Sequence, residues 1–122
     1  MAGPIVIYGI KNCDTMKKAR AWLELHGLSC TLHDYRQSGI PVGLLEGWVA
    51  EAGWPALLNR AGTTFRKLPE TEREGLDEAG AIALMHAHPA LIKRPVLPWA
   101  GGLLIGFKPE TYAAAFGAPG PA

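Results

Sequence analysis

Pro4-Ile5-Val6-Ile7-Tyr8 is a continuous apolar run, rich in branched side chains and free of charge. It predicts a strand over 4–8 buried on both faces, as in a parallel or mixed sheet. The period then changes. Over 15–27, Met16, Ala19, Trp22 or Leu23, and His26 recur every three or four residues, and Gly27 ends the pattern. That spacing predicts a helix, with Asp14 or Thr15 available to cap its start. "CTLHDYR" (30–36) alternates, with Cys30 and Leu32 on one face and Thr31, His33 and Tyr35 on the other, so it predicts a second strand. Strand, helix and strand form a crossover unit, whose two strands should be parallel.

Helical patterns fill the middle of the chain. Over 41–53, Leu44, Leu45, Trp48 and Val49 share one side, with Pro41 at the start and Gly53 at the end, the asymmetry expected of a helix. Residues 54–68 predict a short helical turn followed by an irregular basic loop. Residues 76–89 predict a third helix, stopped by Pro89. The runs 90–99 and 103–107 flank Ala100-Gly101-Gly102 and predict a β-hairpin. Pro98 makes the first of these strands short or places it at an edge. Pro109 opens a final helix, and 117–122 predict a frayed tail. The alternation of periods makes this an α/β chain, with no internal repeat and no linker.

Composition narrows the class. A chain of 122 residues, 48% apolar and 19% charged, suits one globular domain. A net charge of +1 gives no case for a nucleic-acid partner. The start lacks a basic leader region, and no run is long enough to span a bilayer, so a soluble cytoplasmic protein without a membrane partner is expected. Two cysteines are too few for a disulfide scaffold. Among the four histidines, His86 and His88 are two apart on a predicted helix and diverge, while His26 and His33 have no third ligand. No metal is therefore expected.

The candidate chemistry centres on Cys13, between the first strand and the first helix. Unsatisfied backbone N–H groups and the helix dipole favour a thiolate there, which makes a nucleophile and leaves amides for an oxyanion. Lys11 and Lys17 add positive field, screened by solvent. A free cysteine is usually a small packing residue, and Cys30, on the Leu32 face, reads that way. Cys13 lies between Asn12 and Asp14, a poor setting for packing. A phosphatase-type loop would need an arginine where Ala19 stands, and a dithiol motif would need a cysteine at Met16. A second thiol must therefore finish any cycle, either Cys30 after rearrangement or an external one such as glutathione. The basic stretch with Arg60, Arg66 and Lys67 is equally an anion patch or a solvated loop. Trp22, Trp48, Trp54 and Trp99 read as packing residues.

"IYGIKNCDTMKKARAWL", "HDYRQSGI", "LLNRAGTTFRKL" and "LIKRPVL", in that order, resemble the ArsC-like arsenate reductase/Spx family, nearest its YffB-like branch. The resemblance implies a thioredoxin-like fold in a single domain over 1–122. Its mixed four-stranded sheet would carry a helical insertion, about 40–92, between βαβ and ββα halves. It implies Cys13 as nucleophile, Arg94 as the anion-binding side chain facing it, and a cis Pro95. Lys11, Asn12, Asp14, Thr15, Asn59, Arg60 and Pro95 would bind substrate. The arsenate reductases of the family surround the thiolate with three arginines. Here Asn59 stands in one of those places, with Arg60 next to it, and Ile105 stands near another, with Lys108 further on. Loss of planar donors predicts weak arsenate binding. Met16 removes the cysteine pair of the branch that regulates transcription by docking on RNA polymerase. The resemblance thus implies a monomeric thiol-dependent oxidoreductase linked to glutathione or glutaredoxin, with glutathione as co-substrate and no bound cofactor. Glutaredoxin-dependent arsenate reduction and a non-catalytic adaptor on RNA polymerase are the alternatives.

Overall fold

The structure is a computed structural model that describes residues 5–99 and 101–117. Pro4, Ala100 and the tail beyond 117 lie outside the described residues. The chain divides into two compact units: one runs through Asp34 and resumes at Arg94, and Tyr35–Lys93 forms the other.

In the first unit, β1 (Ile5–Gly9), α1 (Asp14–Leu25) and β2 (Cys30–Asp34) form the crossover. β1 and β2 are parallel, with Ile5 opposite Cys30 and Gly9 opposite Asp34. β3 (Val96–Trp99) and β4 (Gly102–Ile105) form the antiparallel hairpin, and the strand order is β2-β1-β3-β4. This is the mixed four-stranded sheet of a thioredoxin-like fold. Ile5 and Ile7 point to the face covered by Met16, Ala19, Trp22 and Leu23 of α1 and by Tyr112 of α8 (Pro109–Phe116). On the opposite face Val6 and Tyr8 are only partly covered within the whole chain. β3, which contains Pro98, is short, and it is interior to the sheet. β1 meets β3 only at Tyr8 and Val96, so Pro98 faces no β1 ladder that would need its missing N–H.

The second unit is helical: α2 (Tyr35–Ser38), α3 (Val42–Ala52), α4 (Trp54–Leu57), α5 (Thr63–Arg66), α6 (Glu70–Arg73) and α7 (Glu78–Ala87), closed by a 3-10 turn at Pro89–Leu91. Several elements depart from the sequence pattern: the run 90–99 is a 3-10 turn through Leu91 and a strand only from Val96, and α6 has no counterpart in the predicted elements. β2 stops at Asp34 because Tyr35 starts a helix; its ring is fully buried and its hydroxyl donates to the Ile92 carbonyl at 2.8 Å. The basic stretch also contains a helical turn, α5, anchored by buried Phe65. Leu58 pairs with Ile92, and the Lys93 N–H donates to the Leu57 carbonyl at 2.7 Å.

Candidate active site

β1 ends at Gly9, and the chain must pass from sheet to helix over Ile10–Cys13. Two backbone donors shape the turn. The Cys13 N–H donates to the Ile10 carbonyl at 3.2 Å, and the Lys11 N–H donates to Asp34 Oδ2 at 3.1 Å. Asp34 closes β2 directly beside Gly9, so the loop is tied to both parallel strands. Beneath it, fully buried Met16 packs against Gly9 so closely that a methyl group there would overlap the thioether. Only glycine admits this contact.

Cys13 itself is the N-cap of α1, with extended backbone (φ −84°, ψ 132°), and its carbonyl accepts the first helical bond from Lys17 at 3.1 Å. Neither Asp14 nor Thr15 caps the helix. Asp14 is its first residue, where an exposed carboxylate is favourable against the dipole. The thiol is partly exposed. No N–H caps it tightly, yet the Met16 and Thr15 amides lie within electrostatic range of the sulfur.

Several effects act on that sulfur. Partial burial is the largest and pushes the thiol up. Against it stand the Met16 amide, a hydrogen bond from the Arg94 side chain, the Thr15 amide and the positive charge of Arg94. Together these outweigh burial and hold Cys13 below the ordinary thiol value. The cation that acts on the sulfur is Arg94.

The sheet places that arginine. The Arg94–Pro95 peptide is cis. The Pro95 carbonyl accepts from Gly106 N–H at 2.8 Å, and the next residue, Val96, pairs with both Tyr8 and Ile105. Arg94 therefore enters beside the end of β1, where the Cys13 loop begins. Cys13, Thr15, Met16 and Arg94 come together, with Pro95 adjacent in the chain. Lys11, Asn12 and Asp14 are exposed around the same loop. Asn59 and Arg60 belong to the second unit and make their contacts within it. Asn59 N–H donates to the Leu91 carbonyl at 2.8 Å, its Oδ1 accepts from Ala61 N–H at 3.2 Å, and Arg60 lies over the Trp54 ring at 5.6 Å. Ile105 is a half-buried strand residue opposite Val96, and Lys108 is exposed at the start of α8. Among the described residues, no three His, Cys, Asp or Glu side chains group as metal ligands.

Cys30 stands opposite Ile5, at the other end of β1 from the Cys13 loop. The four rises from Ile5 to Gly9 span about 13 Å, whereas disulfide geometry needs Cα atoms roughly 4–7 Å apart. Cys30 therefore cannot resolve an intermediate on Cys13 while the strand is intact. One feature of the site escaped the sequence pattern: Asp34 as the loop's anchor, whose carboxylate meets the Lys11 N–H from 23 positions away, so no local motif marks it.

The ArsC family model matches residues 8–115. The chain belongs to the ArsC family. Among solved structures, the YFFB protein is 58% identical, with a TM-score of 0.87, covering 91% of this chain and 97% of that one. An arsenate reductase (ArsC) related protein from Brucella melitensis is 54% identical, with a TM-score of 0.74, covering 93% and 95%. The global transcriptional regulator Spx of Streptococcus pneumoniae is 25% identical over 90% of this chain and 84% of its own length. The matched span of this ArsC chain includes every residue of the Cys13 loop, α1, and the Arg94–Pro95 turn. Among the described residues, no helix is long and apolar enough to cross a membrane.

Proposed function

We propose that this ArsC chain is a thiol-dependent oxidoreductase that works on glutathione-class disulfides through the single nucleophile Cys13. The supporting observation is the sulfur at the start of α1, addressed by two helix amides and by Arg94. The Cys13 thiolate attacks the glutathionyl sulfur of a mixed disulfide, forming a Cys13–glutathione disulfide and expelling the target thiolate, which takes a proton from solvent. A second glutathione thiolate, or glutaredoxin, then attacks the same glutathionyl sulfur. That releases oxidised glutathione, or glutathionylated glutaredoxin, and regenerates the Cys13 thiolate. With Met16 three positions on, no neighbouring cysteine can compete for the intermediate. Arsenate is a poor substrate in this reading, because Asn59 and Ile105 replace planar cationic donors.

The decisive measurement is the pH–rate profile of iodoacetamide alkylation at Cys13 in a Cys30→Ser background. The expected midpoint lies below that of a free cysteine; an ordinary or raised midpoint would overturn the proposal. Glutathione titration followed by NMR should shift resonances at 10–17 and 93–95. An assay with arsenate, glutathione and glutaredoxin should give no turnover above a Cys13→Ala control. The likeness to Spx supports a second reading, a non-catalytic adaptor that docks on RNA polymerase. Under that reading, Cys13→Ser would leave both partners and cellular phenotype unchanged.

A further inference from the structure

Cys13 makes no side-chain capping bond to the helix that it starts, so its sulfur takes its place from the backbone that carries it. That backbone is a short loop between the end of β1 at Gly9 and the start of α1 at Asp14. Lys11 and Asn12, at its middle, are exposed. Exposed loop residues with few buried contacts open readily unless something ties them. The two ends are held from within. Gly9 packs on buried Met16, and the Cys13 N–H donates to the Ile10 carbonyl at 3.2 Å. The middle is held from a different strand, by Asp34, whose Oδ2 accepts the Lys11 N–H at 3.1 Å across 23 positions of sequence.

The register of the sheet puts Asp34 where it can do this. It is the last residue of β2 and stands opposite Gly9 in the parallel pairing. Its backbone is therefore fixed by the ladder, and its short side chain reaches just past the end of β1. A carboxylate accepting a backbone N–H makes a stronger bond than a neutral acceptor does. An anion near a thiolate, however, disfavours the charged sulfur. As a charge, then, Asp34 opposes a reactive Cys13; as a tether, it supports one. The two roles give effects of opposite sign when the carboxylate is removed.

We propose, resting on the reading of Cys13 as nucleophile, that Asp34 is a positioning residue: its carboxylate holds the Lys11 N–H, and the loop so held places the sulfur beside the first amides of α1 and the Arg94 side chain. Asp34 acts through the backbone and not through its charge. Without it, the Lys11–Asn12 stretch swings, and the Cys13 backbone leaves its extended conformation (φ −84°, ψ 132°) for part of the time. The sulfur then spends less time beside the Met16 and Thr15 amides and Arg94. All the groups that stabilise the thiolate remain in the molecule; what is lost is their aim.

The test is the pH–rate profile of iodoacetamide alkylation in the full chain carrying Cys30→Ser, so that only Cys13 is read. Asp34→Ala should slow alkylation at neutral pH by roughly threefold, within the range that one hydrogen bond commands, and move the midpoint upward. Asp34→Asn, whose amide oxygen still accepts the Lys11 N–H, should keep rate and midpoint close to those of the parent. Ile5→Val, a buried truncation at the far end of β1, should lower unfolding stability and leave the midpoint in place. Amide exchange followed by NMR reads the tether in the parent itself: the Lys11 N–H should exchange roughly tenfold more slowly than in an unstructured chain, with protection kept in Asp34→Asn and lost in Asp34→Ala. An ordinary midpoint in the parent overturns the Cys13 reading and this proposal with it. A lowered parent midpoint that Asp34→Ala leaves in place or lowers further overturns the proposal alone. So does an Asp34→Asn variant that behaves as Asp34→Ala does, an equal shift in Ile5→Val, or an unprotected Lys11 N–H in the parent.

Discussion

The two thiols stand at opposite ends of one strand–helix–strand unit, against the same core, and their surroundings differ in kind. Cys13 sits where α1 begins, so the helix turns its unpaired amides toward the sulfur, and Arg94 arrives from the far end of the sequence to add a full charge. Cys30 sits where β2 begins. It packs against the core cluster that includes Tyr112 and borders an open cleft lined by Arg20 and Glu24. The first setting stabilises an anion whatever it attacks. The second is a packing position at the rim of an open cleft. The character of a cysteine is thus set by its neighbours, which differ at the two ends of one scaffold.

The largest effect that can break this contrast is Cys13→Ser. Serine caps helices well, so the fold should persist, while rapid alkylation and any disulfide turnover are lost and Cys30 remains modifiable. Cys13-type reactivity persisting in this variant would show that the two ends do not differ as described. Arg94→Ala comes next. It should slow alkylation of Cys13 at neutral pH by roughly tenfold, as expected for loss of a charge-assisted hydrogen bond, and move the pH–rate midpoint upward. Cys30 kinetics should not change.

Gly9→Ala probes the packing under the Cys13 loop. The added methyl meets the buried Met16 thioether, and a loss of about 1–3 kcal/mol in urea unfolding is expected. The smallest effect is a linkage. The folded state holds the Cys13 thiol below its unfolded value. Its thiolate therefore stabilises the fold above the unfolded pKa of about 8.5, and this contribution disappears as pH falls through the lower folded value. The wild type should gain stability over Cys13→Ala as pH is raised from about 6 to about 9. A constant difference across that range would mean the amides and Arg94 do not act on the folded thiolate.

Much of this molecule was legible before any coordinates. The apolar run ending at Tyr8, the helical period through Met16 and Trp22, and the Gly27 stop are local signals, because backbone period and side-chain period are the same physical quantity. A lone cysteine at the junction of strand and helix was enough to mark Cys13, since the helix dipole and free amides belong to the element that follows it in the chain. Boundaries were less legible. Tyr35 reads as strand by alternation, and only its burial against Ile92 makes it helical. Pro98 marks a strand that is short or at an edge; β3 is short and interior, and its single pairing with β1 at Val96 leaves Pro98 room there. What tertiary structure alone decided was which distant groups surround a given sulfur: Arg94 and the Asp34-anchored loop at one end, the core cluster and the α1 stripe at the other. Those contacts join residues far apart in the chain, brought together by sheet register and helix packing, and no periodicity in a sequence encodes them.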